Sequence, residues 1–319
     1  MLTMTTLQRL WKASAPLTAV GLLMVVVLAA TLVAMAVDGS TILGAPTWLK
    51  PAKFAVSSAI YAFTVAWIFT FIPERTRLTA IVGWITAVVL VLEVGIIDVQ
   101  AARGLTSHFN AATPLDAALF GIMGTAIVVL WGSAIALSAA LFRHRFEDAS
   151  FGWALRLGML LTVIGQASGA FMTAPSTEQL EAARATGMLV SGSHTVGAPD
   201  GGVGLPVTGW SREHGDLRVA HFVGIHAVQV LPAIVWLTAP LGSIVRRRRT
   251  VVVAGAAYFG LFAILLAQAL SGQPLFAPQG AVLIALAVWG VALLLGSVFV
   301  VAGRVNGANG GAVPMMASR

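Results

Sequence analysis

The chain has 319 residues, 58% of them hydrophobic and only 10% charged, with a mean hydropathy of +0.90. A composition that apolar excludes an ordinary soluble domain, and apolar runs of about twenty residues recur along it as in a polytopic membrane protein. The net charge of +7 sits mostly in short segments between those runs, so it reads as a topology signal rather than a nucleic-acid surface, and the absence of cysteine excludes disulfides, thiolate metal sites and iron–sulfur clusters.

Taken in order, the sequence predicts an all-α bundle of eight spans forming one transmembrane domain over residues 1–302. The spans are Leu17–Val37, Phe54–Ile72, Leu78–Ile97, Ala117–Leu141, Leu155–Met172, Leu217–Leu237, Val251–Leu270 and Ala281–Val301. Ala34-Met35-Ala36 resembles a signal cleavage site, but the run before it exceeds the ~7–15 residues of a signal core and reads as a retained anchor. The segments holding Arg75 and Arg77, Arg143 and Arg145, and Arg246 to Arg249 fall on the N-terminal side. With Arg9, Lys12, Arg156, Arg304 and Arg319 that side carries about thirteen of the nineteen basic residues, which places it and both termini in the cytoplasm of a cell that uses this as an inner-membrane protein. The four-arginine run reads as a topology anchor. The Gly/Asn-rich tail 303–319 is expected to be disordered.

The opposite side reads differently. Its first segment ends in Thr47-Trp48-Leu49-Lys50-Pro51-Ala52-Lys53, its second runs from Asp98 to Asn110, and its third is a long loop, 173–216. In that loop Ser176 and Gln179 fit a capping box, which predicts a short amphipathic helix to about Thr186 on the membrane surface. The glycine-rich remainder carries His194, Asp200 and Trp210 and reads as a binding loop or lid. Lys50 and Lys53 are expected to snorkel at the interface, with Trp48 and Trp210 in the aromatic belt.

Five of the six histidines, His108, His194, His214, His221 and His226, belong to this outer side, and only His144 to the other. Polar stripes run along three spans: Lys53, Ser57, Tyr61 and Thr64; Glu93 and Gln100; Thr162, Gln166 and Thr173. Exposing Glu93 to lipid would cost ~2.5–3.5 kcal/mol, so it is expected to turn inward. Spans two, three, five and six are therefore expected to enclose an outward-facing polar chamber, the other four facing lipid. Glu93 is read either as a partner of Lys53 or Arg103 or as a proton carrier. The sixth span is expected to be helical without a break before Pro232. At ~100° per residue its His221 and His226 point ~140° apart, unsuited to sharing a small ion in a straight helix.

The strings TWLKPAKF, QAARGLTSHFN, SHTVGAPDGG and DLRVAHFVGIHAVQVLP are similar to a family of uncharacterised integral membrane proteins of high-GC bacteria, over most of the chain from Trp48 to Pro232. That resemblance implies no activity and assigns no residue a role. Haem A synthases place histidines on several spans, but spans two and eight here have none; quinone-reactive anchors of the polysulfide-reductase type are similar only in plan. Three functions are expected in order. The first is membrane redox chemistry with haem b or a metal ion, a quinone being the other carrier. Its metal or haem ligands would be drawn from His108, His194, His214 and His221, with Arg103, Arg218, His226, Gln229, Lys53 and Tyr61 around the cofactor and Glu93 handling protons. The second is a zinc-dependent lipid hydrolase or transferase at the outer leaflet using Asp216. The third is a proton-coupled transporter. Membrane lipids, and a lipophilic substrate or quinone, are the expected partners, with no nucleic acid.

Overall fold

The computed structural model describes residues 4–238, 240 and 243–302. The tail expected to be disordered, 303–319, lies outside the described residues. The chain is an all-α bundle in which, among the described residues, seven helices are long and apolar enough to cross a membrane; a further pair of apolar helices, bent by 51° where they join, makes eight if the pair counts as one span.

A two-turn helix absent from the sequence reading, α1 (Thr6–Ala13), comes first. Thr5 and Gln8 close a reciprocal capping box on it, and its buried Leu10 packs on the helices that follow. Then come α2 (Ala15–Val37), the hairpin β1 (Thr41–Ile42) and β2 (Ala45–Pro46), α3 (Leu49–Phe69), α4 (Thr76–Ala102) and α5 (Pro114–Arg143). The fifth span, α6 (Ala149–Ala167), continues through a turn into α7 (Ala170–Thr173). The long loop holds α8 (Thr177–Thr186), capped as expected by Ser176 and Gln179, and β3 (Thr195–Val196), which pairs antiparallel with β4 (Gly215–Asp216). The sixth crossing is α9 (Leu217–Ile225) plus α10 (Ala227–Thr238), followed by α11 (Ile244–Leu270) and α12 (Gly280–Ala302).

Several boundaries differ from the sequence expectation. Asp98 to Ala102 continue α4 instead of opening a loop; the turn comes at Gly104, whose φ of +71° a side chain would resist. Arg246 to Arg249 lie in the first turns of α11, not in a connecting loop. Leu49 and Lys50 open α3. In each case a polar residue that hydropathy assigns to the connection is helical, because a helix end projects beyond the apolar slab without losing its backbone hydrogen bonds.

The apolar core fills the arginine-rich half, where Leu17, Ile68, Leu90, Leu137, Leu155, Met159 and Val228 pack together. That end is tied by an ion pair of Arg247 with Asp148, a hydrogen bond between His144 and Glu74, and Arg156 donating to the carbonyls of Leu141 and His144. α12 is open along nearly its whole surface, with Val282 its buried residue, as expected for a lipid-facing helix.

Candidate functional site

Three aspartates, Asp116 and Asp216 buried and Asp200 half-buried, organise the histidine-bearing end, and each is matched. Asp216 caps α9 through the Arg218 amide, accepts Nε and Nη2 of Arg218 at 2.9 and 2.6 Å, and takes the Ser211 amide at 2.7 Å. Arg218 places another bond on the Gly209 carbonyl, 2.6 Å away. Asp116, in the first turn of α5, binds Arg103 at 2.7 Å, Gln100 at 2.9 Å and the Thr113 hydroxyl at 2.6 Å. Asp200 gathers the Ser193 hydroxyl, the amides of His194 and Thr195 and the His194 imidazole, the last at 2.7 Å. Burial alone would raise the Asp200 pKa, but the hydrogen bonds from the His194 ring and amide and from the Ser193 hydroxyl outweigh it and hold the carboxyl well below the usual carboxylate range. Asp216, Arg103 and Arg218 thus engage one another or near neighbours within the chain. A loop with this many internal bonds is a folded cap, not a linker.

The cap is sewn to the second outer segment. Asn110 bridges Val190, and the Ser191 amide donates to the Phe109 carbonyl at 2.9 Å. Phe109 adopts φ +63°, a strained conformation for an aromatic residue, and its ring sits 4.8 Å from His194 and 6.1 Å from His108. Burial first, then the charges of Lys50 and His194, keep His108 well below its ordinary value of 6.5. His194 is also lowered by burial, which outweighs its bond to Asp200. Both imidazoles are therefore neutral near pH 7. His214 lies apart beside Gly197, and His221 packs against Gly169, with Nδ1 3.4 Å from the Ser168 hydroxyl. Among the described residues no three His, Asp or Glu side chains gather closely enough to hold a metal ion.

Deeper, polar side chains of α3 and α10 meet: Gln229 donates to the Thr64 hydroxyl at 3.3 Å. Lys53 donates to the Thr208 carbonyl of the cap at 2.9 Å. Glu93 is 4% exposed, and its Oε1 is buried without a hydrogen-bond partner, as are the Oε1 atoms of Gln166 and Gln229. Neither Lys53 nor Arg103 partners Glu93; each is engaged elsewhere.

The sixth crossing is not the continuous helix expected. It bends by 51° at His226, whose ring stacks on Phe222 at 4.1 Å while Nδ1 bonds the Phe222 carbonyl. The backbone groups freed by the bend are met by neighbours. The Thr162 hydroxyl donates to the Ile225 carbonyl at 3.1 Å and accepts the Val228 amide at 3.2 Å; Tyr258 donates to the Val223 carbonyl at 2.5 Å. A Cβ on Gly165 would fall on the Gly224 backbone, so the two helices touch main chain to main chain. Sequence reasoning missed this joint because Thr162, Gly165 and Tyr258 lie on other spans.

Compared with known proteins, the chain matches no family model, no curated protein and no solved structure.

Proposed function

We propose that this membrane protein binds a lipophilic carrier of the quinone class among the polar side chains of its histidine-bearing half, and that Glu93 exchanges a proton with it. The observation that carries the reading is the Glu93 carboxylate, buried in a span without a hydrogen-bond partner. A buried charged or polar group left unmatched costs on the order of a few kcal/mol, a burden that a folded chain tolerates where a ligand or a proton meets it. Three buried acceptors without donors, Glu93, Gln166 and Gln229, suit a hydroxyl-bearing head group. Tyr61 and the imidazoles add donors, and Phe222 and Trp210, 5.6 Å apart, offer flat apolar surface.

A lipophilic tail needs a way to the bilayer. α3 meets the cap through Lys53 and Thr208 and meets α10 through Thr64 and Gln229, and Tyr61, Thr64 and His226 remain partly exposed along that seam. Quinone reduction adds protons with its electrons and quinol oxidation releases them, so a carboxyl beside the ring has a defined task.

The test is an organic extract of protein purified in mild detergent, assayed for quinone by its borohydride-induced absorbance change, beside a visible spectrum of the same sample. Stoichiometric quinone and a flat spectrum are expected. No bound quinone and no uptake of added decylbenzoquinone would sink the reading. A Soret band that shifts on reduction would put haem b in its place, with His221 the first ligand to replace. Zinc at one atom per chain would favour the hydrolase reading, which finds no three-donor group among the described residues and an Asp216 already engaged by Arg218.

A second reading, proton-coupled transport, gains from the bend at His226, since transporters use broken spans. It loses from the way Thr162, Tyr258 and His226 itself consume the freed backbone groups, which leaves few for an ion. Proton-linked uptake into liposomes, abolished in Glu93→Gln, would establish it.

A further inference from the structure

α6 and α11 leave a groove of about 770 Å³ between them. Its walls are Trp153, Leu157 and Ile164 from α6 and Val252, Ala256 and Phe259 from α11. Leu161 and Val251, packed with Leu231 and Val235 of α10, make its floor. Ser150 and Arg248 line one end, the end where Arg247 pairs with Asp148, and the rest of the lining is apolar. At ~1.5 Å per residue the groove runs ~21 Å along α6 from Ser150 to Ile164, and ~17 Å along α11 from Arg248 to Phe259. One leaflet of a ~30 Å hydrocarbon core is ~15 Å deep. A cationic mouth opening on an apolar trough about one leaflet deep has the outline of a phospholipid, not of a compact solute.

The polar groups at the mouth are unspent. Within the run 246–249, Arg247 is paired with Asp148, and Arg249 donates to the Phe299 carbonyl and lies over its ring. Arg248 is exposed and makes neither a hydrogen bond nor an ion pair among the described residues. Ser150 is fully buried, and its hydroxyl has no hydrogen-bond partner. A hydroxyl closed off from water without a partner is unfavourable unless a ligand meets it. The surrounding charge favours an anion. In the segment 143–148, Arg143 and Arg145 cancel Glu147 and Asp148, so the four arginines at 246–249 stand in excess.

We infer that this groove holds an anionic phospholipid, its phosphate on Arg248 beside Ser150 and one acyl chain along the trough. Guanidinium and hydroxyl both donate to phosphate oxygens, and the arginine excess repels the choline of a zwitterionic lipid. The lipid joins the fifth and seventh spans at the arginine-rich end. The site is separate from the polar half and does not depend on the quinone-class reading.

The test reads Trp153, which lines the groove, in the full chain held in phosphatidylcholine nanodiscs. These contain a minor fraction of lipid brominated near the carboxyl end of one chain. The Trp153 signal is the wild-type fluorescence less that of Trp153→Phe. Brominated phosphatidylglycerol is expected to quench it at roughly one-fifth the fraction that brominated phosphatidylcholine requires. Arg248→Gln should remove that difference, whereas Arg145→Gln, at an exposed arginine outside the groove, should keep it. Ala256→Leu, which fills the trough and spares the cation, should weaken quenching by both lipids. Equal quenching by the two lipids in the wild type overturns the inference, and that comparison needs no variant to fold. An Arg145→Gln loss as large as that of Arg248→Gln also overturns it, because the preference then belongs to a diffuse basic surface. Quenching unchanged in Ala256→Leu takes the chain out of the groove and overturns it too.

Discussion

At the scale of single residues, the buried carboxylates divide into two kinds, and substitution separates them. Asp216 is met by two guanidinium nitrogens and two amides. Replacing it with Asn leaves Arg218 facing a neutral group, and breaking a buried pair from one side costs on the order of 3 kcal/mol. Asp216→Asn should therefore lower the thermal midpoint of the detergent-solubilised protein by several degrees; an unchanged midpoint would show the lock to be dispensable. Glu93 has nothing to lose. Glu93→Gln is expected to leave the ligand-free midpoint unchanged or slightly higher while abolishing quinol binding, the pattern of a residue kept for function at the expense of stability. A loss comparable to that of Asp216→Asn would make Glu93 structural. Hydropathy alone singles out both acids as costly, but it cannot say which is matched, because Arg218 is two residues away in sequence and any partner of Glu93 would be on another span.

At the scale of elements, the cap over residues 174–216 and the bent sixth crossing each make a distinct prediction. His108 and His194 have pKa values held below 6.5 by burial. An opened cap binds protons on these rings at higher pH than the closed one does. The contribution of the neutral rings is complete above 6.5 and is lost as pH falls from there toward the folded values. Asp200 acts lower: its stabilisation is present above its ordinary 3.8 and fades only beneath that. Amide exchange across residues 189–217, corrected for intrinsic rates, should thus lose protection between pH 7.5 and 5.5, less so in His194→Asn. A flat profile would contradict it. In the bend, Thr162→Val removes one donor and one acceptor at once, which costs on the order of 1–3 kcal/mol; a thermal midpoint equal to wild type would mean that water substitutes. The helix α8 was legible because its signal, Ser176 with Gln179, is local. The bend was not, since Gly224 and His226 fit a helical pattern and the cause lies in Thr162, Gly165 and Tyr258.

At the scale of the whole molecule, composition and arginine placement carry most of the information, and the seven apolar spans follow from them, with the bent pair standing where an eighth was expected. The sidedness they imply is testable with unusual directness, since the chain has no cysteine. Cysteine introduced at exposed Ala182 on α8 should react with an impermeant maleimide added outside intact cells, and cysteine at exposed Glu147 only after permeabilisation. The reverse labelling would invert the molecule and put the histidines in the cytoplasm. Which helices touch was less legible: span positions come from hydropathy, but the division into an apolar half and a polar half depends on which faces meet.

The joint at His226 also has a bearing on biogenesis. The chain is made from its N-terminus, so the sixth crossing is threaded into the bilayer before α11 exists to offer it Tyr258. Its 22 residues are long enough to span as a straight rod at ~1.5 Å each. Thr162 and Gly165 on the earlier α6 are already in place to meet the bend, and what arrives only with the seventh span is the Tyr258 bond to the Val223 carbonyl. The polar half is in this sense the last part of the protein to mature, and the C-terminal spans, poor as they are in polar groups, would be what completes it.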